Sequence, residues 1–350
     1  MGFSPSERVI CLLYTNNGKK LLALCSNAVH KLWTWECCEK NPRGKCTTSV
    51  PPQLWQPENG ISMTNDTANN GNHKEATACM ALRIRDNYLV SGSGGRLSAF
   101  NISTFWIKTT FMATPPAATF VAFYPQEDNI MAIGMEDSSI LIYCTRTEEV
   151  KMVLRGHRKK ITGLAFSVSM NVLVSSGDDA QLCVWQMHSW EKKKSRYIIP
   201  PSNHSGALVS DTTVQFHYGE DRLLVVQESQ LVICDCKIDC LCSQTYCTKS
   251  TQWSPRDALP APISSAIFSS DGLMIYVGFC DGAIGIFEAK SLTLQCKIAP
   301  SAYIPCSVSS DGGIVYPMVV VANPWKRNQM AVGMSNGALY VLEPPLETDV

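Results

Sequence analysis

The sequence predicts an all-β chain folded as a seven-bladed β-propeller, and three observations carry that expectation. One unit of short apolar strands separated by polar turns recurs along the chain, most plainly over residues 161–166, 172–176 and 178–185. Within each unit a tight-turn residue is followed six places later by an apolar one: Asn27/Trp33, Gly94/Phe100, Asp137/Tyr143, Asp179/Trp185, Glu228/Cys234, Asp281/Phe287 and Asn336/Leu342. Successive turn positions lie 67, 43, 42, 49, 53 and 55 residues apart. Four-stranded blades repeat every ~40–45 residues, with longer steps where a loop is inserted. Asp, Asn and Gly suit the turn because they tolerate left-handed backbone and hydrogen-bond their own loop. Seven units make one toroid, so residues 1–350 read as a single propeller domain.

Taken in order, the first unit begins with a strand at 8–14 and is followed by the longest step. Residues 37–77 are rich in Asn, Thr, Pro and Lys. They read as a loop inserted between the first and second blades, with 59–75 flexible for want of anything to bury. Gln53, Leu54 and Trp55, inside that stretch, read as the outer strand of the first blade. The second unit carries Gly92-Ser-Gly94-Gly95, which lacks the Lys-Ser/Thr of a phosphate loop and leads into a strand, so it reads as a turn. The third unit places strands at 119–123, 130–134 and 137–143, and the fourth is the clearest of all. In the fifth, residues 231–247 read as the third and fourth strands; the sixth repeats the frame at 263–268, 274–278 and 281–287. The seventh supplies 318–322, 329–333 and 338–342. Prolines interrupt both 1–7 and 343–350, so neither end offers a further strand. The seventh blade is therefore expected to have three strands and an open edge, with a closing strand carried upstream in a longer parent.

Composition narrows the function classes. The 30 Lys+Arg balance 30 Asp+Glu, and a protein built to wrap nucleic-acid phosphate needs a basic surplus. No apolar run approaches the ~18 residues of a membrane span, and the first residues lack the order of a signal peptide. At 45% hydrophobic residues the chain can build a sizeable core without staples, so its 16 cysteines read as small apolar residues in a reducing compartment.

Candidate chemistry centres on Gly156-His157, Ser175, Asp179 and Trp185. Ser, His and Asp are the parts of a hydrolytic triad, but no Gly-x-Ser-x-Gly elbow exposes the serine. In propeller repeats a Gly-His opening a blade and a Trp ending its third strand are structural. His157 is therefore expected to bond Asp179, with Ser175 and Trp185 completing a buried polar network. Cys234, Cys236, Cys240, Cys242 and Cys247 form the densest thiol cluster, yet no Cys-x-x-Cys occurs anywhere in the chain and strand alternation accounts for Cys234 and Cys236. No metal, cofactor or catalytic residue is assigned. The basic clusters at 155–160 and 192–196 could contact an acidic partner or serve as a nuclear-import signal, but a solvated face is the commoner explanation for such short runs.

Several strings lie outside the repeat frame and are specific. Ser26-Asn-Ala-Val-His-Lys-Leu-Trp-Thr-Trp35, Pro51-Pro-Gln-Leu-Trp-Gln-Pro57, Ser62-Met-Thr-Asn-Asp66, Pro115-Pro-Ala-Ala-Thr-Phe120, Ser210-Asp-Thr-Thr-Val-Gln-Phe-His217 and Pro300-Ser-Ala-Tyr-Ile-Pro305 resemble the plant Topless and Topless-related transcriptional corepressors, as do the fourth-unit strings. The resemblance covers nearly the whole chain and corresponds to that family's C-terminal WD-repeat propeller. It implies a nuclear protein-interaction scaffold, not an enzyme, contacting DNA-bound repressors, adaptors and chromatin-modifying proteins, without sequence-specific nucleic-acid binding. The family's N-terminal helical region, which oligomerises and holds short repression motifs, has no counterpart in the match. No partner-binding residue can thus be carried over. The competing class is a propeller enzyme with a site in its central channel, which would gather acidic residues and histidines at one end; the six His of this chain are scattered.

Overall fold

The computed structural model describes residues 8–34, 53–65, 78–93, 96–111, 116–198, 211–235, 250–253, 261–305 and 314–344. Among them are seven antiparallel sheets and one short 3₁₀ turn, Pro300–Ala302. The first sheet holds β1 (Val9–Tyr14), β2 (Lys20–Cys25), β3 (His30–Thr34) and β4 (Gln53–Trp55), and the second β5 (Cys79–Leu82), β6 (Tyr88–Ser93), β7 (Arg96–Asn101) and β8 (Ile107–Phe111). The third is β9 (Ala118–Phe123), β10 (Ile130–Met135), β11 (Ser139–Cys144) and β12 (Glu149–Arg155). The fourth is β13 (Ile161–Ser167), β14 (Val172–Gly177), β15 (Gln181–Gln186) and β16 (Lys192–Tyr197). β17 (Thr213–Phe216), β18 (Arg222–Gln227), β19 (Gln230–Asp235) and β20 (Ser250–Trp253) form the fifth, and β21 (Ile263–Phe268), β22 (Met274–Phe279), β23 (Ile284–Glu288) and β24 (Leu294–Ile298) the sixth. The seventh has three strands among the described residues: β25 (Pro317–Ala322), β26 (Met330–Met334) and β27 (Leu339–Leu342). In every sheet strands adjacent in sequence are adjacent in space, which is the meander of a propeller blade. The fold is an all-β, seven-bladed β-propeller.

Two sequence expectations need adjustment: within 59–75, expected to have nothing to bury, Met63 is fully buried and Thr64 pairs with Val29 in an isolated bridge. The fourth strand of the fifth sheet is Ser250–Trp253, beyond the 231–247 stretch assigned to its third and fourth strands. Residues 236–249 lie outside the described residues, as do 37–52 and 66–77 of the expected insertion. The expectations for 1–7 and 345–350 fall outside them too.

The chain divides into two compact units, one from Met1–Glu75, Phe100–Ile107 and Leu259–Val350, the other from Ala76–Ala99 and Lys108–Ala258. In the second unit, neighbouring sheets share cores. Ile140, Ile142 and Leu154 of the third sheet pack with Ile161, Phe166 and Leu173 of the fourth. Val174 and Val184 of the fourth pack with Val214, Leu223 and Val225 of the fifth. In the first unit the sixth and seventh sheets meet through Tyr276, Ile286, Val320 and Val332. There the first and last sheets of the chain also pack together: Val9, Leu12, Leu21 and Trp33 lie against Val321, Ala331 and Val341. Trp325 Nε1 donates to the Asn16 carbonyl at 2.7 Å across that seam, and the Tyr14 hydroxyl donates to Gln329 Oε1 at 3.3 Å.

One device recurs at these seams. A β-carbon on Gly134 of β10 would fall 2.6 Å from Ile161; on Gly278 of β22, 2.8 Å from Pro317; on Gly333 of β26, 2.5 Å from Val9. Each glycine is thus a notch near the end of a blade's second strand that receives the first strand of an adjoining blade. Interiors pack at crystal-like density, so even one methyl here would push two sheets apart.

Candidate functional site

The fourth blade carries the most connected polar cluster among the described residues. His157 lies in the link between β12 and β13, Ser175 on β14, Asp179 in the turn after β14, and Trp185 on β15. The hairpin register sets Ser175 opposite Cys183 and Leu173 opposite Trp185, so the indole lies two residue pairs along from the serine, on the same face. Trp185 Nε1 donates to Ser175 Oγ at 2.8 Å, and His157 Nε2 lies 2.8 Å from the same oxygen. His157 Nδ1 sits 3.2 Å from Asp179 Oδ1. Asp179 also accepts the Gln181 N–H at 3.1 Å and, on its other oxygen, the Arg158 N–H at 2.8 Å.

This pattern fixes the protons. A carboxylate only accepts, so His157 carries its proton on Nδ1 and donates it to Asp179. Ser175 accepts the indole N–H and gives its own hydroxyl proton to Nε2. Burial lowers the imidazole's pKa, more than the neighbouring Asp179 raises it, so the ring is neutral as the pattern requires. Ser175 is wholly buried and its oxygen is held by both an indole and an imidazole, so no acyl substrate can approach it.

Two glycines make room for the cluster. A β-carbon on Gly156 would lie 2.8 Å from the Trp185 ring, and one on Gly177 would lie 2.7 Å from both Asp179 Oδ1 and His157 Nδ1. Sequence reasoning picks out Gly156 beside His157 but not Gly177, whose only signal is its place two residues before the turn Asp.

The turn positions have a common geometry in five of the seven units. The side-chain oxygen of Asn27 accepts the N–H two residues on at 3.1 Å, that of Asp137 at 3.0 Å, Asp179 at 3.1 Å, Asp281 at 2.9 Å and Asn336 at 3.0 Å. The residue after each is left-handed: Ala28 (φ 64°), Ser138 (73°), Ala180 (54°), Gly282 (88°) and Gly337 (82°). The side-chain acceptor holds the turn closed, and this is why three non-glycine residues tolerate a conformation that disfavours them. Glu228 occupies the two-residue turn between β18 and β19, and Gly94 lies outside the described residues.

Of the cysteine cluster, Cys234 is buried in the core shared by the fourth and fifth sheets; Cys236, Cys240, Cys242 and Cys247 lie outside the described residues. Among the described residues no group of His, Cys, Asp and Glu could hold a metal ion. In the first basic cluster, Lys159 pairs with Asp178 at 3.6 Å and Lys160 with Asp211 at 2.8 Å. The second forms β16 itself.

The family described as WD domain, G-beta repeat matches residues 148–186, the span from the last strand of the third blade through β15 that contains all four network residues. The chain is 64% identical over 346 residues to TOPLESS-RELATED PROTEIN 2 of Oryza sativa subsp. japonica, covering 99% of this chain and 30% of that protein. It is 49% identical over 340 residues to Topless-related protein 3 of Arabidopsis thaliana, covering 97% and 29% respectively. Protein TOPLESS of Arabidopsis thaliana is 48% identical over 334 residues, 95% of this chain and 28% of that one. The chain therefore spans about 30% of the length of the curated relatives it matches. With its seven blades, its WD repeat and this identity along nearly its whole length, the chain belongs to the Topless-related family.

Proposed function

We propose that this chain is the protein-interaction propeller of a nuclear transcriptional corepressor, a scaffold between DNA-bound repressors or adaptors and chromatin-modifying partners. The observation that carries the reading is the 64% identity over 99% of the chain to a Topless-related protein. On this reading His157, Ser175, Asp179 and Trp185 hold a blade together, and the turn residues shape its rim; none of them reacts with a substrate. Residues 1–350 act as one domain, so calorimetry should give a single transition.

The test fuses the chain to a heterologous DNA-binding domain upstream of a reporter gene. Repression is expected, weaker than a full-length relative gives, because linked sites multiply avidity and this chain spans under a third of that length. Activation, or a reporter indistinguishable from the DNA-binding domain alone, overturns the reading.

A further inference from the structure

We propose that the outer strand of the fourth blade, β16, is a docking edge for an extended acidic segment of a partner protein, bound by strand addition. The inference rests on the protein-interaction reading above and names the partner's chemistry.

β16 reads Lys192-Lys193-Lys194-Ser195-Arg196-Tyr197, and all but Lys194 are exposed. Among the described residues it is the last strand in its sheet order, paired on one side to β15 alone. In an antiparallel ladder alternate peptide groups face away from the partner, so the far side of β16 presents N–H and C=O groups to a further strand. A bulge sets both Lys192 and Lys193 against the single residue Trp185. Beyond it, Lys194 and Arg196 share one face at the ~7 Å spacing of alternate strand residues.

Three other outer strands differ. β12 pairs its own charges, Lys151 to Glu149 at 2.8 Å, and Lys297 of β24 faces Asp281 at 3.8 Å. Lys108 of β8 lies over the Tyr88 ring, 4.7 Å from its centroid. On β16, by contrast, Lys192, Lys193 and Arg196 have no carboxylate partner among the described residues. Three cations without an acid among the described residues are therefore set along one edge that no described strand covers, on a chain whose total charge is zero.

Lysines on an edge strand ordinarily prevent pairing by repelling a second copy of themselves. That repulsion also selects: an incoming strand with Glu or Asp at alternate positions meets attraction where a neutral or basic one does not. Main-chain bonds then supply affinity and the charges supply choice. Nucleic acid would use the cations but not the ladder, and the neutral whole-chain charge offers it no wider basic surface.

The probe is a fluorescein-labelled decapeptide of alternating Glu and Val, titrated against the whole chain and followed by anisotropy. Binding is expected, weakening as salt rises, and falling at least ten-fold in K193E/R196E, whose melting temperature should match the parent because both side chains are exposed. A Lys-Val peptide should bind the reversed variant better than the parent. The same Glu-Val peptide N-methylated at alternate residues should bind at least ten-fold more weakly, since it cannot complete the ladder. Absence of binding, binding unaltered in K193E/R196E, or binding indifferent to N-methylation each overturns the proposal. Duplex DNA binding that K193E/R196E abolishes, without peptide binding, would make the strand a phosphate contact instead. A parent that represses in the tethering assay but ignores the peptide sinks only this proposal; a parent that fails to repress sinks the corepressor reading whatever the peptide does.

Discussion

Trp185 illustrates how one side chain can serve packing and polarity together. Its ring is almost wholly buried in the core between the third and fourth sheets, and its N–H completes the chain of bonds through Ser175 to His157 and Asp179. Truncating it removes both contributions, so Trp185→Ala should cost about 3–5 kcal/mol. Ser175→Ala keeps the packing but strands the indole N–H and His157 Nε2, at about 1–3 kcal/mol. Urea denaturation of the two variants checks the order. Equal midpoints for parent and Ser175→Ala would mean that the hydroxyl is energetically idle. At this scale the cluster was legible because the Gly-His, turn Asp and Trp stand at fixed spacings. Gly177 was not, since the clash its hydrogen avoids exists only after β14 and the link before β13 are brought together.

At the scale of an element, the tight turn before a blade's third strand is a small machine of two residues. In the sixth blade Asp281 bonds the Ala283 N–H and Gly282 takes the left-handed position. Asp281→Ala loses the bond and should cost about 1 kcal/mol. Gly282→Ala should cost more, because its new β-carbon would be disfavoured by φ and would also lie 2.8 Å from the Val315 carbonyl. Thermal melts of both variants test the ranking, and a milder Gly282→Ala would show that Val315 yields. The inner three strands of most blades were readable from sequence, because burial between neighbouring sheets forces apolar residues into them. The outer strands were not: β16 and β12 are exposed on both faces, so nothing imposes a hydrophobic period, and a run such as Lys192 to Arg196 looks like any charged surface. β4 is the exception, read from Gln53 to Trp55 through its bulky residues and now seen paired to β3. The left-handed Ala28 and Ala180 could not be read at all, since alanine gives no sign of such backbone.

At the scale of the whole molecule, buried histidines contribute to the response to acid. His30 is held at a pKa of about 4 by burial, with only partial compensation from its bond to the Met63 carbonyl. The unfolded chain takes up that proton near 6.5, so the folded form is favoured fully above this value and progressively less as pH falls toward 4. The difference amounts to about 3 kcal/mol. His157 shifts in the same direction and adds to the slope. Urea midpoints between pH 7 and 4 should fall steadily in the parent and less in His30→Gln; parallel profiles would remove His30 from the account.

The seam between the first and last sheets has a bearing on how the chain is made. Trp325 meets Asn16 across a separation of 309 residues. A ribosome adding about 5–20 residues per second needs roughly 15–60 s to cover that distance. Throughout that interval Val9, Leu12 and Leu21 have no Val321 or Ala331 to lie against. Until the seventh blade is made, that face of the nascent first blade therefore stays uncovered, the kind of transiently exposed apolar surface that favours aggregation.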